Sequence, residues 1–158
     1  AFALLRKKYP DLTLALAGKK DSNYARHETY VNEHGIKNVV FTGFISDEQL
    51  RWMYENTAVY CFPSLSEGFG LPGLEAMLHG APVASSTATC LPETHGDAAH
   101  YFDPFSVEDI AKSINDILSD DKLRNELVKK GKKHVKTFSW QHMAEQTLAV
   151  YEKYGRKS

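Results

Sequence analysis

The sequence predicts an α/β domain on an open, doubly wound parallel sheet, and three observations predict it. Short apolar runs alternate with segments of helical period. The runs are continuous rather than alternating apolar and polar, as in strands covered on both faces. Ser, Gly and Pro stand where helices should start and stop.

The opening AFALLRKKYPDL reads as the middle and end of an amphipathic helix with no start signal, so the chain is expected to begin inside an element. LTLALAG (12–18) is an apolar run closed by Gly18, the pattern of a strand buried on both faces. Residues 22–34 read as a helix and NVVFTG (38–43) as a strand. SDEQLRWMYENT (46–57) reads as a helix capped by Ser46, with acidic residues in its first turn. AVYCFPS (58–64) is a third strand, Leu71 to His79 a helix stopped by Gly80, PVASS (82–86) a fourth strand and HYFD (100–103) a short fifth. Helices follow from Val107 to Leu118, Asp121 to about Thr137 and Trp140 to about Tyr154. Strands alternating with helices give right-handed βαβ units, in which ligands bind beyond the carboxyl ends of the strands. The loops after Ala17, Thr42, Phe62 and Ser85 are therefore where a site should lie.

Composition narrows the function. The 158 residues, 42% hydrophobic, suit one domain spanning the chain. Nineteen Lys and Arg against 20 Asp and Glu leave no global field to gather nucleic acid or an anionic membrane, so a bound anion needs a local site. Two cysteines, Cys61 and Cys90, fit unpaired thiols in a reducing compartment. No run approaches the roughly 18 apolar residues of a membrane span. A cytoplasmic location is expected, with peripheral membrane contact open to the rest of a larger protein.

The stretch SEGFGLPGLE (66–75) carries the chemistry. Gly68 and Gly70 permit close backbone approach, and Pro72 suits a first helical turn. The amides of Phe69, Gly70 and Leu71 should then face outward at the positive end of a helix dipole, an anion site suited to phosphate. Leu71, Leu74 and Leu78 are expected to form the buried stripe, which puts Glu75 off the core face near the helix start. A carboxylate there suits the two vicinal hydroxyls of a ribose, and Glu67 would meet what lies beyond the phosphate. Locally, Glu75 also reads as an acidic residue favoured by the dipole, Glu67 as a solvated loop residue and the glycines as a tight turn.

FPSLSEGFGLPGLEAMLHGAPVASS resembles the signature of the family-four retaining glycosyltransferases, whose two glutamates are separated by seven residues. NVVFTGFISDEQLRWMYENTAVYCFPS resembles the segment before that motif, and LPETHGDAAHYFDPFSVEDIAKSI the one after it. The resemblance implies a Rossmann-like sheet that is the carboxy-terminal, donor-binding lobe of the two-lobed GT-B fold, without the amino-terminal acceptor-binding lobe. It implies that the backbone around Gly68, Phe69, Gly70 and Leu71 holds the sugar and diphosphate of a nucleoside-diphosphate sugar, GDP-mannose or a UDP-hexose. It gives Glu75 the ribose hydroxyls, Glu67 the transferred sugar near its reacting carbon, and the loop at Gly43, Phe44 and Ile45 the nucleobase. It implies no metal and no cofactor. The family's Arg and Lys, on the first strand of this lobe and the loop after it, are not Arg6, Lys7 and Lys8, which read as a solvated helix end. Without that pair and that strand, the chain by itself is expected to bind donor weakly and catalyse nothing.

Other features read as structural. None of the seven histidines shows the spacing of a zinc helix; His27 and His34 read as surface residues and His95 as a solvated loop residue. Trp140, Met143, Thr147, Val150 and Tyr154 fall on one packing stripe of a helix that in the family crosses back to the other lobe. KKGKKHVK (129–136) reads as a solvated helix end favoured by the dipole. Two other functions remain open: a non-catalytic nucleotide or sugar-phosphate binding module, and a GT-B-type nucleotide-sugar epimerase or hydrolase.

Overall fold

The computed structural model describes residues 1–155 as an α/β assembly of parallel strands and helices. A short α1 (Phe2–Leu5) leads to β1 (Leu14–Ala17), α2 (Ser22–Glu33) and β2 (Val39–Gly43). Then come α3 (Asp47–Asn56), β3 (Tyr60–Phe62), α4 (Leu71–Leu78), β4 (Val83–Ser86), α5 (Leu91–His95) and β5 (Ala99–Phe102). The chain closes with α6 (Val107–Ser119), α7 (Asp121–His134) and α8 (Trp140–Tyr154). The α5 helix is new relative to the sequence reading, although Pro92 in its first turn and Gly96 after its end are start and stop signals.

Local chemistry explains the boundaries. Ser46 accepts from the Gln49 N–H, and the Gln49 side chain accepts from the Ser46 N–H, a reciprocal capping box. Asp21, Ser106, Asp120 and Ser139 cap α2, α6, α7 and α8 through side-chain oxygens. After α4 the chain turns at Gly80, whose φ of +83° suits a residue without a Cβ.

All strand pairs are parallel, but they form two ladders, β1 with β2 and β3–β4–β5 in that order. Among the described residues β1 pairs only with β2 and β3 only with β4, so each of those two strands keeps one unpaired edge. The burial expected for residues 12–18 is therefore corrected. Leu14 is half-buried and Ala15, Leu16 and Ala17 are exposed, because β1 packs substantially only on β2 and no helix among the described residues lies closely against its faces.

The core sits around β4, all four of whose residues are buried. Met77, Leu74 and Ala76 of α4 pack there with Val83, Ala98 and Tyr54, while Phe102, Ile117 and Leu127 join Ala84 on a second cluster. α4 also meets α7 closely: a Cβ on Gly131 would lie 3.0 Å from Met77 Cγ. The expected stripe of α4 is corrected as well, since Leu71 and Leu78 are 44% and 58% exposed and Gly73, Leu74, Ala76 and Met77 face inward. With two buried layers, the helix turns its small residues and Met77 to the core and leaves Leu71 and Leu78 outside.

The stripe on α8 does not pack either, because α8 has no buried residue, and Trp140 and Tyr154 are largely exposed. Among the described residues no helix is long and apolar enough to cross a membrane. Met77→Ala should destabilise the fold by about 2–5 kcal/mol, the range for a fully buried Met. Urea unfolding followed by circular dichroism reads that loss.

Candidate functional site

β3 and β4 pair with Tyr60 against Val83 and Phe62 against Ser85, so both deliver their carboxyl ends to the same edge of the sheet. Residues 63–70 lead from β3 into α4, and residues 87–90 lead from β4 into α5. The two loops are tied at Glu67. Its N–H donates to the Thr89 hydroxyl at 3.1 Å, and its carbonyl, 3.3 Å from the Cys90 thiol and from Thr89 Oγ1, accepts from them. Thr89 has φ +49°, a left-handed conformation uncommon for a threonine and stabilised here by those contacts. Neither Thr89 nor Cys90 stood out in the sequence. Nothing local marks a threonine that clamps a backbone 22 residues away.

Gly68, Phe69, Gly70 and Leu71 then form the entry to α4. Gly68 and Leu71 are exposed, Phe69 rests edge-on against Phe138 at 5.8 Å, and Gly70 is buried with φ +92° at the N-cap. None of their four amides donates to a partner among the described residues. These unpartnered amides stand at the start of an eight-residue helix, its positive end. Glu67 is half-buried and Glu75 is exposed on α4, and neither carboxylate has a hydrogen bond or ion pair among the described residues. Burial, with the Glu75 charge second, pushes the Tyr54 hydroxyl up to about 12. Burial raises neighbouring Tyr60 further, with Tyr54 and Glu75 contributing, so both phenols stay protonated beside this face at neutral pH.

The remaining predicted residues lie on the other ladder. Gly43 ends β2, buried with φ +70°, and its carbonyl accepts from Gly18 at 3.1 Å. Phe44, 80% exposed, and half-buried Ile45 border a shallow concavity of about 360 Å³ with Thr42, Gln49, Trp52 and Met53. No hydrogen bond joins this group to the glycine loop among the described residues. Lys20, unremarked in the sequence, runs past Gly43 with its ammonium 5.4 Å from the Tyr24 ring. A larger concavity, about 690 Å³, lies along one face of α2 and contains none of the candidate residues. Size does not select the site; the convergence of free amides and carboxylates does.

The reading of His95 as a solvated loop residue is overturned. It ends α5, is wholly buried, and lies between Ser85 Oγ at 3.1 Å from Nδ1 and the Gly70 carbonyl at 3.1 Å from Nε2. Burial lowers its basicity, against the carbonyl contact, which raises it, so the ring is neutral at pH 7. A Cβ on Gly73 would collide with the His95 ring at Nε2, so the helix start has no room for a side chain there. His27 and His34 are exposed as expected. Lys7 and Lys8 are exposed, but Arg6 is half-buried and donates to the Pro10 carbonyl at 2.7 Å. The basic run on α7 is partly neutralised, with Lys130 paired to Asp97 and Glu126.

A family model described as glycosyl transferases group 1 matches residues 1–134, every element up to the end of α7. The chain belongs to the glycosyl transferases group 1. Its elements are accordingly those of the carboxy-terminal lobe of a GT-B glycosyltransferase, and α8 lies beyond the matched residues. The chain is 37% identical over 148 residues to MMP alpha-(1->4)-mannosyltransferase of Mycolicibacterium hassiacum, covering 90% of this chain and 36% of that one. It is 40% identical over 112 residues to O-antigen chain mannosyltransferase B of Escherichia coli, covering 71% of this chain and 29% of that one. The chain thus spans about a third of the length of these curated relatives. Among solved structures, the C-terminal domain of a group 1 glycosyl transferase from Francisella tularensis superposes with a TM-score of 0.73 at 32% identity, over 85% of this chain and 73% of that one.

Gly73→Ala tests the fit inside this group 1 lobe. In an open helix interior, replacing Gly by Ala stabilises by about 0.5–1 kcal/mol. Here the methyl meets His95, and a destabilisation of about 1–3 kcal/mol is expected, read as a lowered Tm.

Proposed function

We propose that this chain is the nucleotide-sugar-binding domain of a retaining glycosyltransferase, which transfers a hexose from a nucleoside-diphosphate sugar to an acceptor hydroxyl. The observation that carries the proposal is the row of unpartnered amides from Gly68 to Leu71 at the start of α4, flanked by two unpaired carboxylates. Those amides suit a diphosphate, because partial positive charge and open donors meet there. Glu75, one turn into the helix on its exposed face, takes the ribose hydroxyls as a two-oxygen acceptor. Glu67, whose backbone is pinned between N–H and carbonyl contacts, faces the transferred sugar with a carboxylate free to stabilise positive charge at its reacting carbon. The loop of Gly43, Phe44 and Ile45 borders the base. The names of the two curated relatives favour mannose as the hexose.

In this reading the acceptor oxygen forms its bond to the sugar carbon on the face from which the diphosphate departs. The carbon–oxygen bond to the diphosphate breaks, and the acceptor proton passes to the departing oxygen. Positioning and charge stabilisation supply the rate. The partners are the donor, a strand that fills the place between β1 and β3, and an acceptor-binding lobe. The unpaired strand edges and the uncovered α8 support the last two.

Two substitutions separate the glutamates in the full-length protein. Glu75→Ala should weaken GDP or UDP binding by about 10-fold or more in calorimetry, the loss of charge-assisted hydrogen bonds. Unchanged affinity would remove the ribose role. Glu67→Gln should leave that affinity near wild type while lowering turnover by about 100-fold or more.

A further inference from the structure

The entry to α4 is held by a residue outside the glycine motif. The Gly70 carbonyl has two lone pairs, and both are taken: one by the Gly73 N–H at 3.1 Å, the other by His95 Nε2 at 3.1 Å. A carbonyl only accepts, so Nε2 carries the hydrogen. A neutral imidazole has one N–H, so Nδ1 is an acceptor, and the single Ser85 hydroxyl proton points to it rather than to the Ser86 carbonyl 3.3 Å away. Ser85 and His95 are both fully buried, and the ring touches the backbone at Gly70 and Gly73, where any side chain would collide. The tautomer is therefore set by geometry on both sides of the ring.

The consequence reaches the loop through the peptide plane. In a trans peptide the C=O of one residue and the N–H of the next point in opposite directions. Clamping the Gly70 carbonyl inward on His95 turns the Leu71 N–H outward, where it has no partner among the described residues. We propose that His95, fixed in its Nε2–H tautomer by Ser85, is a positioning residue that presets the Gly70–Leu71 peptide so that its N–H faces the diphosphate of the donor. The ligand rests on the function proposed above; the clamp itself does not.

The test uses the full-length protein carrying this chain, with GDP and UDP as probes. Nitrogen NMR of labelled histidine should show His95 as the Nε2–H tautomer at neutral pH; an Nδ1–H ring overturns the proposal. His95→Leu should weaken binding of the preferred nucleotide by about 5- to 10-fold, the loss of one preset donor. His95→Gln, whose side-chain amide can replace Nε2–H, should stay within about twofold of wild type. Equal affinity of the Leu variant and wild type overturns it. Should His95→Leu fail to fold, Ser85→Ala takes its place: the Gly70 carbonyl still requires Nε2–H, so the ring should keep that tautomer while its Nδ1 resonance shifts on losing the hydroxyl, and an Nδ1 resonance that does not move overturns the proposal. Should wild type bind neither nucleotide, the Leu71 amide shift of the free protein decides. Movement in the Leu variant but not in the Gln variant keeps the clamp and removes the donor reading, and no movement removes the clamp.

Discussion

The arrangement depends on the burial of β4. Val83 to Ser86 are inaccessible on both faces and bonded on both edges, so the backbone polar groups of this strand must be satisfied by β3 on one side and β5 on the other. That requirement fixes the register, and the register places the ends of β3 and β4 side by side. The loops that follow have to meet, and Thr89 with Cys90 then holds the backbone of Glu67. The two buried serines at the end of β4 have partners as well. Ser86 Oγ accepts from the Ala88 N–H at 2.9 Å and shapes the turn toward α5, while Ser85 reaches His95.

Close approach is the second theme. Gly73 admits the imidazole of His95 into the first turn of α4, and Gly131 admits Met77 into α7. Both glycines lie in helices, where they cost about 1 kcal/mol of propensity relative to alanine. Packing that brings helix backbone against side chains offsets this cost and leaves the α4 entry with little freedom. Rigid, outward amides suit an anion because their reorganisation has been completed during folding. The glycine loop is thus shaped by residues on two other elements, α5 and the turn after β4.

Apolar surface is distributed unevenly. β3, β4 and β5 are well covered, whereas β1, Phe44 and Trp52, and the whole of α8 expose large hydrophobic groups. Contiguous exposed apolar surface marks places where something docks. In this lobe of the glycosyl transferases group 1 the largest exposed groups are Phe44, Trp52 and those of the last helix, which lies outside the matched residues 1–134.

The sequence by itself determined the class, the order of the elements and the glycine-bracketed loop, because these rest on short-range physics. Apolar runs ended by Gly18 or Pro63 read as strands, Ser46 read as a cap, and Pro72 with Gly80 marked the limits of α4. Tertiary structure alone decided which leucines of α4 are buried, since helical spacing is satisfied equally by Leu71, Leu74 and Leu78 or by Gly73, Leu74 and Met77, and only the layers packed against the helix choose. It also decided that β1 is exposed, because burial of both faces requires helices packed on each of them, which spacing cannot supply. And it decided that His95 is an interior residue joining Ser85 to Gly70, 10 and 25 positions away, because a histidine's environment is made by whatever the fold brings to it.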